Sequence, residues 1–389
     1  MSAAQDFLVE IGTEELPPRS MRRLSQAFAS AVGERLDKEA LTHGTVKAYA
    51  TPRRLALVIE ALAAAEPDRE VQRRGPALRA AFDAEGRPTP AALGFARACG
   101  VAVQDLIRFQ NERGTWLAFQ TFAPGRPTGE VMPGLLREAL AALPIPKRMR
   151  WGPGAVEFVR PVHWVVLLFG PETLSAEVLG VQSGCESRGH RFMQPGPLSI
   201  PAPHDYPALL GSIGRVQADF AERQERLRRL VEAAAHAQGG HALIDPDLLE
   251  EVTGLCEWPA VIAGAFDRRF LGMPAEVLIA TLKDHQKCFP IVDADGRPLP
   301  YFVATSNIES RDPEVVRRGN ERVVHPRLAD AAFFYEQDLA LPLEARRTAL
   351  ARVVYQERLG SLLDRSDRLA TLAEAIARHI GGDPDLARR

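Results

Sequence analysis

Cysteines are scarce in this sequence, and the few that occur lie far apart. Four are present in 389 residues and none forms a Cys-x-x-Cys pair, which argues against a zinc ribbon and against a disulfide framework. Long apolar runs are also lacking, since a run such as residues 162–170 is far shorter than the roughly 20 residues that span a bilayer. The N-terminus shows no basic segment followed by an apolar one, so it does not resemble a secretion signal. We therefore expect a cytoplasmic protein with no membrane segment.

An excess of charge of either sign is absent as well. The chain carries 48 basic and 50 acidic residues, and its formal charge of −2 does not attract polyanions. Any nucleic-acid binding must therefore come from local basic patches, at residues 51–55, 69–75, 146–152 or 317–338. Arginine richness alone is not evidence for such a role, because a GC-rich genome produces the same bias.

The signatures of self-sufficient nucleotide-handling enzymes are missing. The sequence has no Gly-x-x-x-x-Gly-Lys-Ser/Thr loop, no Gly-x-Gly-x-x-Gly after a strand and no Gly-x-Ser-x-Gly turn. We assign no catalytic residue and no cofactor to this chain. Histidine and cysteine residues at spacings suited to a metal lack a second pair, so we predict no metal site at Cys185/His190, His236/His241 or His285/Cys288.

The N-terminal part alternates between strand and helix patterns. A strand is predicted at residues 6–12, a helix at 18–41, and two strands or one bent strand at 46–62 with a break at Pro52. The continuous apolar run within residues 157–170 indicates a strand buried on both faces. This order favours a mixed α/β layer.

The middle of the chain contains connections and a possible domain boundary. Residues 66–92 are polar and rich in turn formers, which predicts an exposed connection or an inserted loop. Residues 107–122 predict a β-hairpin around the turn at 111–114. Five prolines within residues 194–207 mark the best internal domain boundary, and from residue 341 onward the pattern is helical.

Two basic segments are candidates for phosphate binding. Lys283 and Lys287 share a helix face and can jointly meet a phosphate, although lysines at a helix end also simply complement the helix dipole. Residues 317–338 begin with a basic segment and continue, from Pro326, as a predicted helix. That helix would carry on one face Leu328, Ala331, Ala332, Tyr335 and Leu339. Phe333 and Phe334 would point elsewhere, so we expect it to be buried on several sides or to meet a partner.

Eleven stretches of the chain match one family in the expected order. They are FLVEIGTEELPP, YATPRRLAL, RGPA, TPAALGFARACG, MRWG, FVRPVHWVVLLFG, GHRF, LLEEVTGLCEWPAVIAGAFDRRFL, LKDHQKCFP, SNIESRDPEVVRRGNERVVHPRLADAAFFYEQD and LGSLLDRSDRL. Together they resemble the beta subunit of the bacterial tetrameric glycyl-tRNA synthetase. The resemblance covers essentially all of residues 6–389.

The resemblance implies a function for a larger assembly. In that family two alpha subunits hold the site for glycine and ATP, used with magnesium, and two beta subunits engage tRNA(Gly). The beta chain continues through an HD-like helical domain to an anticodon-binding domain, and LGSLLDRSDRLATLAEAIA resembles the start of the HD-like part. We therefore expect this sequence to be an N-terminal fragment, a view that the helix start at Asp383 and Pro384 also favours.

The predicted fold class is α+β, with a mixed α/β N-terminal body followed by an all-helical HD-like domain that is truncated. The predicted domains are a mixed α/β region at 1–200, a second α/β region at 201–340 and the incomplete helical domain at 341–389.

The predicted tRNA contacts are Arg53, Arg54, Lys283, Lys287, Arg317, Arg318, Arg322 and Arg327. For any one of them the alternative is a solvated or salt-paired side chain. His325 stands where the family usually has a second basic side chain, and Cys288 where an aromatic one is common, which weakens a phosphate contact at the first and a stacking role at the second. Two other functions stay open, a stand-alone HD-type metal-dependent hydrolase using His204 and Asp205 and a non-enzymatic RNA-binding scaffold.

Overall fold

The computed structural model describes residues 4–83, 85–111 and 114–389. Contacts divide the chain into two compact units. Unit 1 comprises Met1–Arg229, Pro246–Ala260 and Ser306–Glu309, and unit 2 comprises Leu230–Asp245, Val261–Thr305 and Ser310–Arg389. The division differs from the three predicted segments, whose boundaries stay predictions.

Strands and helices alternate along the first half of the chain. In order they are β1 (Gln5–Thr13), α1 (Pro18–Lys38), β2 (Val46–Thr51), β3 (Arg54–Leu62), β4 (Arg69–Ala77), α2 (Leu78–Ala81), α3 (Pro90–Cys99), β5 (Ile107–Asn111), β6 (Gly114–Ala123), α4 (Thr128–Ala141), β7 (Met149–Arg150), β8 (Glu157–Phe158), β9 (Val162–Phe169), β10 (Glu172–Thr173), β11 (Glu177–Val178), β12 (Val181–Gly184), β13 (Glu186–Arg188), β14 (Pro197–Ser199) and α5 (Tyr206–Ser212).

The second half adds longer helices. They and the intervening strands are α6 (Phe220–His236), β15 (His241–Ala242), α7 (Pro246–Thr253), β16 (Ala260–Ala265), α8 (Ala275–Ala280), β17 (Phe289–Val292), β18 (Pro298–Ser306), α9 (Pro313–Leu339), β19 (Val354–Gln356), β20 (Gly360–Ser361), α10 (Leu362–Ile380) and α11 (Pro384–Arg388). Segments of 3-10 helix occupy Val103–Asp105, Pro203–Asp205, Arg268–Gly272 and Leu343–Arg352, and a π-helical turn occupies Thr281–His285.

Unit 1 is built on a seven-stranded sheet of order β11-β12-β9-β1-β3-β2, with β10 added beside β9. Strands β1 and β9, which the apolar runs predicted, lie at its centre and are almost wholly buried. Residues 46–62 form two strands, the first of the two predicted alternatives, joined by a tight turn after Thr51. Helices α1 and α4 cover one face with apolar side chains at three- and four-residue spacing, which is what an amphipathic helix requires.

A small layer interrupts unit 1 between β3 and α4. Strands β4, β6 and β5 form an antiparallel sheet in that order, and α2 and α3 pack on one of its faces. The predicted hairpin is confirmed, because Phe109 pairs with Trp116 and Asn111 with Gly114, while turn residues 112 and 113 lie outside the described residues. The segment predicted as an exposed connection therefore supplies β4 and α2 and leads into α3.

A short neck joins this layer to the main sheet. Glu66 receives three hydrogen bonds from Arg126, including one from Nε at 3.0 Å, and the Arg126 guanidinium also reaches Glu39 at 2.8 Å. The Thr128 amide donates to the Ala64 carbonyl at 2.9 Å. The chain segment that leads into the small layer and the segment that leads out of it are thus hydrogen-bonded side by side. These bonds attach the layer to the main sheet.

Unit 2 has its own sheet and core. The sheet order is β15-β17-β18-β16. Helix α8, the π-helical turn and α9 share one apolar cluster that includes Leu282, Cys288, Phe302, Val324 and Leu328.

Helix α9 differs from its prediction. It begins at Pro313, capped by the Asp312 carboxylate, and Pro326 lies inside it rather than at its start. The basic segment is therefore helical too. Proline in a helix interior removes one hydrogen bond, and burial of Val324 and Leu328 on either side of it holds the helix together. Phe333 and Phe334 are 55% and 65% exposed, so the helix is not buried on several sides.

Residues 341–389 are not all helical. Val354–Gln356 and Gly360–Ser361 pair as an antiparallel hairpin before α10. An HD-like helical domain is not confirmed. Four apolar side chains of α10 are more than half exposed, namely Leu369, Leu372, Ile376 and Ile380. Within the described residues no helix combines the length and the apolar character that a membrane crossing requires.

Candidate nucleic-acid interface

Arg54 lies at the centre of a buried polar network in unit 1. Its guanidinium donates to Glu10 Oε1 at 3.2 Å and to Glu257 Oε1 at 3.1 Å. It also donates to Thr51 Oγ1 at 3.1 Å and to the Arg188 carbonyl at 2.9 Å. The side chain is 0% exposed, so the phosphate of a tRNA has no access to it.

Burial and the neighbouring charges act in opposite directions on the pKa values of this network. Burial alone would lower the pKa of Arg54, but the carboxylates of Glu257 and Glu10 outweigh it and raise that pKa, which keeps the guanidinium charged. Burial raises the pKa of Glu10, although Arg54 and hydrogen bonds from Ser187 and Trp164 act in the opposite direction. One arginine thus holds two buried carboxylates, an arrangement typical of a structural ion-pair cluster.

Three arginines surround the Trp164 indole above this network. The guanidinium carbons of Arg53, Arg54 and Arg188 lie 5.5, 5.7 and 5.9 Å from the ring centroid. Gly12 makes room for the indole, because a Cβ at that position would lie 1.9 Å from Trp164 Cε2. Arg53 is partly exposed and Arg188 is exposed, so these two retain access to solvent.

In unit 2 the two predicted lysines do not share a helix face, because the π-helical turn ends at His285 and Lys287 lies beyond its cap. Lys283 lies in the π-helical turn and donates to Asp245 Oδ2 at 2.7 Å, with its side chain 34% exposed. Lys287 adopts a left-handed backbone with φ of 54°, which is uncommon for a residue with a side chain. π-helical turns are frequent at functional sites. Cys288 next to it faces the core, where burial raises its pKa to about 12.

The four predicted arginines of α9 do not form a single patch. Arg317 is bound by Glu314 and Glu321, and the hydrogen bonds to these carboxylates raise its pKa. Arg318 and Arg322 lie one turn apart, whereas Arg327 lies about 140° around the helix from Arg322. Across the part of the chain that the structure describes, neither Arg322 nor Arg327 has a carboxylate at ion-pair distance.

His325 and the His204–Asp205 pair have local partners. The His325 ring contacts Phe270 edge to face at 5.5 Å.

The His204–Asp205 pair lies on the surface, with His204 Nε2 3.5 Å from Asp205 Oδ1. Among residues 4–83, 85–111 and 114–389 no three His, Cys, Asp or Glu side chains are placed to hold a metal ion.

A basic and aromatic surface on the small layer was not among the predicted sites. The guanidinium carbon of Arg74 lies 4.4 Å from the Trp116 ring centroid, and the Phe109 ring lies 6.4 Å from it. Phe122 on the same face is 69% exposed. The 69–75 stretch was recognised as basic, but only strand pairing shows that Arg74 meets aromatic side chains.

Residues 7–389 match the family model of the glycyl-tRNA synthetase beta subunit. The chain belongs to this family. The glycine–tRNA ligase beta subunit of Hahella chejuensis is 49% identical over 385 residues, which is 99% of this chain and 56% of the relative. That of Marinobacter nauticus is 50% identical over 388 residues, covering 100% of this chain and 56% of the relative. The chain thus spans little more than half the length of these curated relatives.

Membership in the beta-subunit family confirms the resemblance found in the eleven stretches. Several residues of those stretches turn out to build the Arg54 network, namely Glu10, Gly12, Thr51, Trp164 and Glu257. A charged residue inside an apolar strand, as in FLVEIG, is the sequence signal that indicates a buried ion pair.

Proposed function

We propose that this chain is part of the beta subunit of a glycine–tRNA ligase. In this role the beta subunit engages tRNA(Gly) and a catalytic alpha subunit, so that glycine is attached to tRNA with consumption of ATP and magnesium on the alpha side. The assembly contains two alpha and two beta subunits and works in the cytoplasm. The observation that carries the proposal is the family match over residues 7–389, with about half of all positions identical to ligase beta subunits.

We assign tRNA phosphate contacts to the accessible members of the predicted set. Arg318 and Arg322 are the strongest pair, because they are exposed and one helical turn apart, although Glu314 lies 3.7 Å from the Arg318 guanidinium. The remaining candidates are Arg53, Lys283, Lys287 and Arg327. Arg317 is already engaged by two carboxylates and acts mainly in positioning, while buried Arg54 is left out.

The test uses the complete beta subunit together with the alpha subunit of the same organism. The pair should attach glycine to tRNA(Gly), and absence of charging would overturn the function. In the beta subunit the double change Arg318→Ala and Arg322→Ala should weaken tRNA binding and reduce the salt dependence of log K by about 2, because each arginine lost removes roughly one phosphate contact.

A matched double variant controls for loss of surface charge. Arg228→Ala with Arg229→Ala also removes two exposed arginines from a helix, and these pair with Glu225. It should leave the salt dependence unchanged. If the α9 variant behaved like this control, the assignment to α9 would be wrong. Intact alpha binding with tRNA affinity insensitive to all the candidate arginines would favour the scaffold function instead.

A further inference from the structure

Among the described residues, helices pack on one face of the β4-β6-β5 sheet and none packs on the other. Helices α2 and α3 cover the face that carries Leu117, which is 3% exposed. Because side chains alternate along a strand, Trp116 and Phe122 of β6 lie on the opposite face. Strand register adds Arg74 and Phe109 to that face, since they are neighbours of Ala118 and Trp116.

The composition of this face suits nucleotide bases. Aromatic rings and arginine guanidinium planes are the surfaces on which unpaired bases stack. Here the Arg74 guanidinium already lies over the Trp116 ring, which leaves a planar cation and an indole at adjacent positions of one sheet. Phe122, at the other end of β6, is 69% exposed and offers a second ring to a neighbouring nucleotide.

Its charge favours a polyanion. Residues 69–123 contain eight arginines and five acidic residues, in a chain whose total charge is −2. In the described part of the layer, Arg69 is salt-bridged to Glu39 and Glu66, whereas Arg74, Arg79 and Arg108 have no carboxylate at ion-pair distance.

A cavity adjoins the sheet at the end of the β5–β6 hairpin. Its volume is about 860 Å³, within the range of pockets that hold small organic ligands. Trp116 and Phe82 contribute apolar surface to it, and Arg79 and Arg108 contribute positive charge. Among the described residues that line the cavity, the acidic one is Asp83.

We propose that this sheet face and the adjoining cavity bind unpaired nucleotides of RNA. Bases stack on Trp116 and Phe122, and Arg74 contacts a phosphate on the open face. Arg108, which pairs with Leu117 on the helix-covered side, contacts a phosphate from the cavity. The inference deepens the proposed function, on which it rests, by assigning an unpaired segment of the tRNA to the inserted layer. The neck, where Glu66 and Arg126 are hydrogen-bonded to each other, would hold the bound segment close to the main sheet of unit 1.

The experiment measures binding of the complete beta subunit to a fluorescein-labelled single-stranded octaribonucleotide and to an RNA duplex of the same length. Trp116→Ala should weaken single-strand binding by roughly 5- to 150-fold, the range expected for loss of one stacked base. Phe122→Ala, at an exposed site where folding is not at stake, should weaken it as well. Arg97→Ala, on helix α3 of the same layer, is the matched surface control and should have no effect.

Three outcomes would overturn the inference. They are absence of single-strand binding in the unmodified subunit, equal affinity of Phe122→Ala and Arg97→Ala for the single strand, and loss of alpha-subunit binding rather than RNA binding in Phe122→Ala. Glycine charging of tRNA by the unmodified alpha and beta subunits is measured in parallel. Normal charging with an insensitive probe refutes only this inference, whereas no charging with a Trp116-dependent probe refutes only the proposed function.

Discussion

Replacing Arg54 by methionine should destabilise unit 1 strongly. The change keeps most of the volume of the side chain but leaves the carboxylates of Glu10 and Glu257 buried without their shared cation. Breaking a buried ion pair by removing one partner costs about 3–5 kcal/mol, and here two carboxylates lose theirs. Since domains are stable by only about 5–15 kcal/mol, the variant should lose a large share of the stability of this unit.

Urea unfolding followed by tryptophan fluorescence measures this effect directly. The tryptophans of residues 1–389 all lie in unit 1, namely Trp116, Trp151, Trp164 and Trp258, so the fluorescence of this stretch reports on that unit. The adjacent variant Arg53→Met is the control and should cost less than about 1 kcal/mol, because within the described residues no carboxylate lies at ion-pair distance from Arg53.

A second change separates charge from packing. Adding Glu10→Gln to Arg54→Met removes one of the two orphaned carboxylates, so the double variant should recover part of the lost free energy of unfolding. A loss for Arg54→Met no larger than that of the Arg53 control, or no recovery on adding Glu10→Gln, would refute the view that Arg54 is a structural cation.

Two further predictions concern the same unit. Gly12→Ala should lower the free energy of unfolding by about 3 kcal/mol or more, since its Cβ would overlap the Trp164 ring. Gly33→Ala, at a helical site with open space around it, should raise that free energy by about 0.5–1 kcal/mol. Equal effects of the two changes in urea unfolding would contradict this. Hydrogen bonds from Arg126 lower the pKa of Glu66 from 4.5 to about 2, so the stability that ionised Glu66 contributes is present above pH 4.5 and lost as the pH falls toward 2. Glu66→Gln should therefore make the free energy of unfolding depend less on pH in that window. An unchanged pH dependence would contradict this.

The elements that could be predicted are those whose own residues contain the information. Strand β1 and strand β9 are continuous apolar runs, and α1 repeats its apolar residues at helical spacing, so local pattern and final structure agree. The capping role of Asp383 is also local, because its carboxylate accepts hydrogen bonds from amides two and three residues further on. The family, too, followed from the ordered stretches alone.

The sequence could not decide the orientation of neighbouring side chains of the same type. Arg53 and Arg54 are equivalent in the sequence, but Arg54 belongs to β3, where pairing with Gly12 directs it into the buried network, while Arg53 stays in the turn. Pro326 reads as a helix start, yet long-range packing of Val324 and Leu328 outweighs its local cost. Arg74 meets Trp116 only because β4 pairs with β6, across more than forty residues of chain. Local periodicity therefore determined elements such as β1, β9 and α1, whereas strand pairing and burial decided which arginines are buried in ion pairs and which stay exposed.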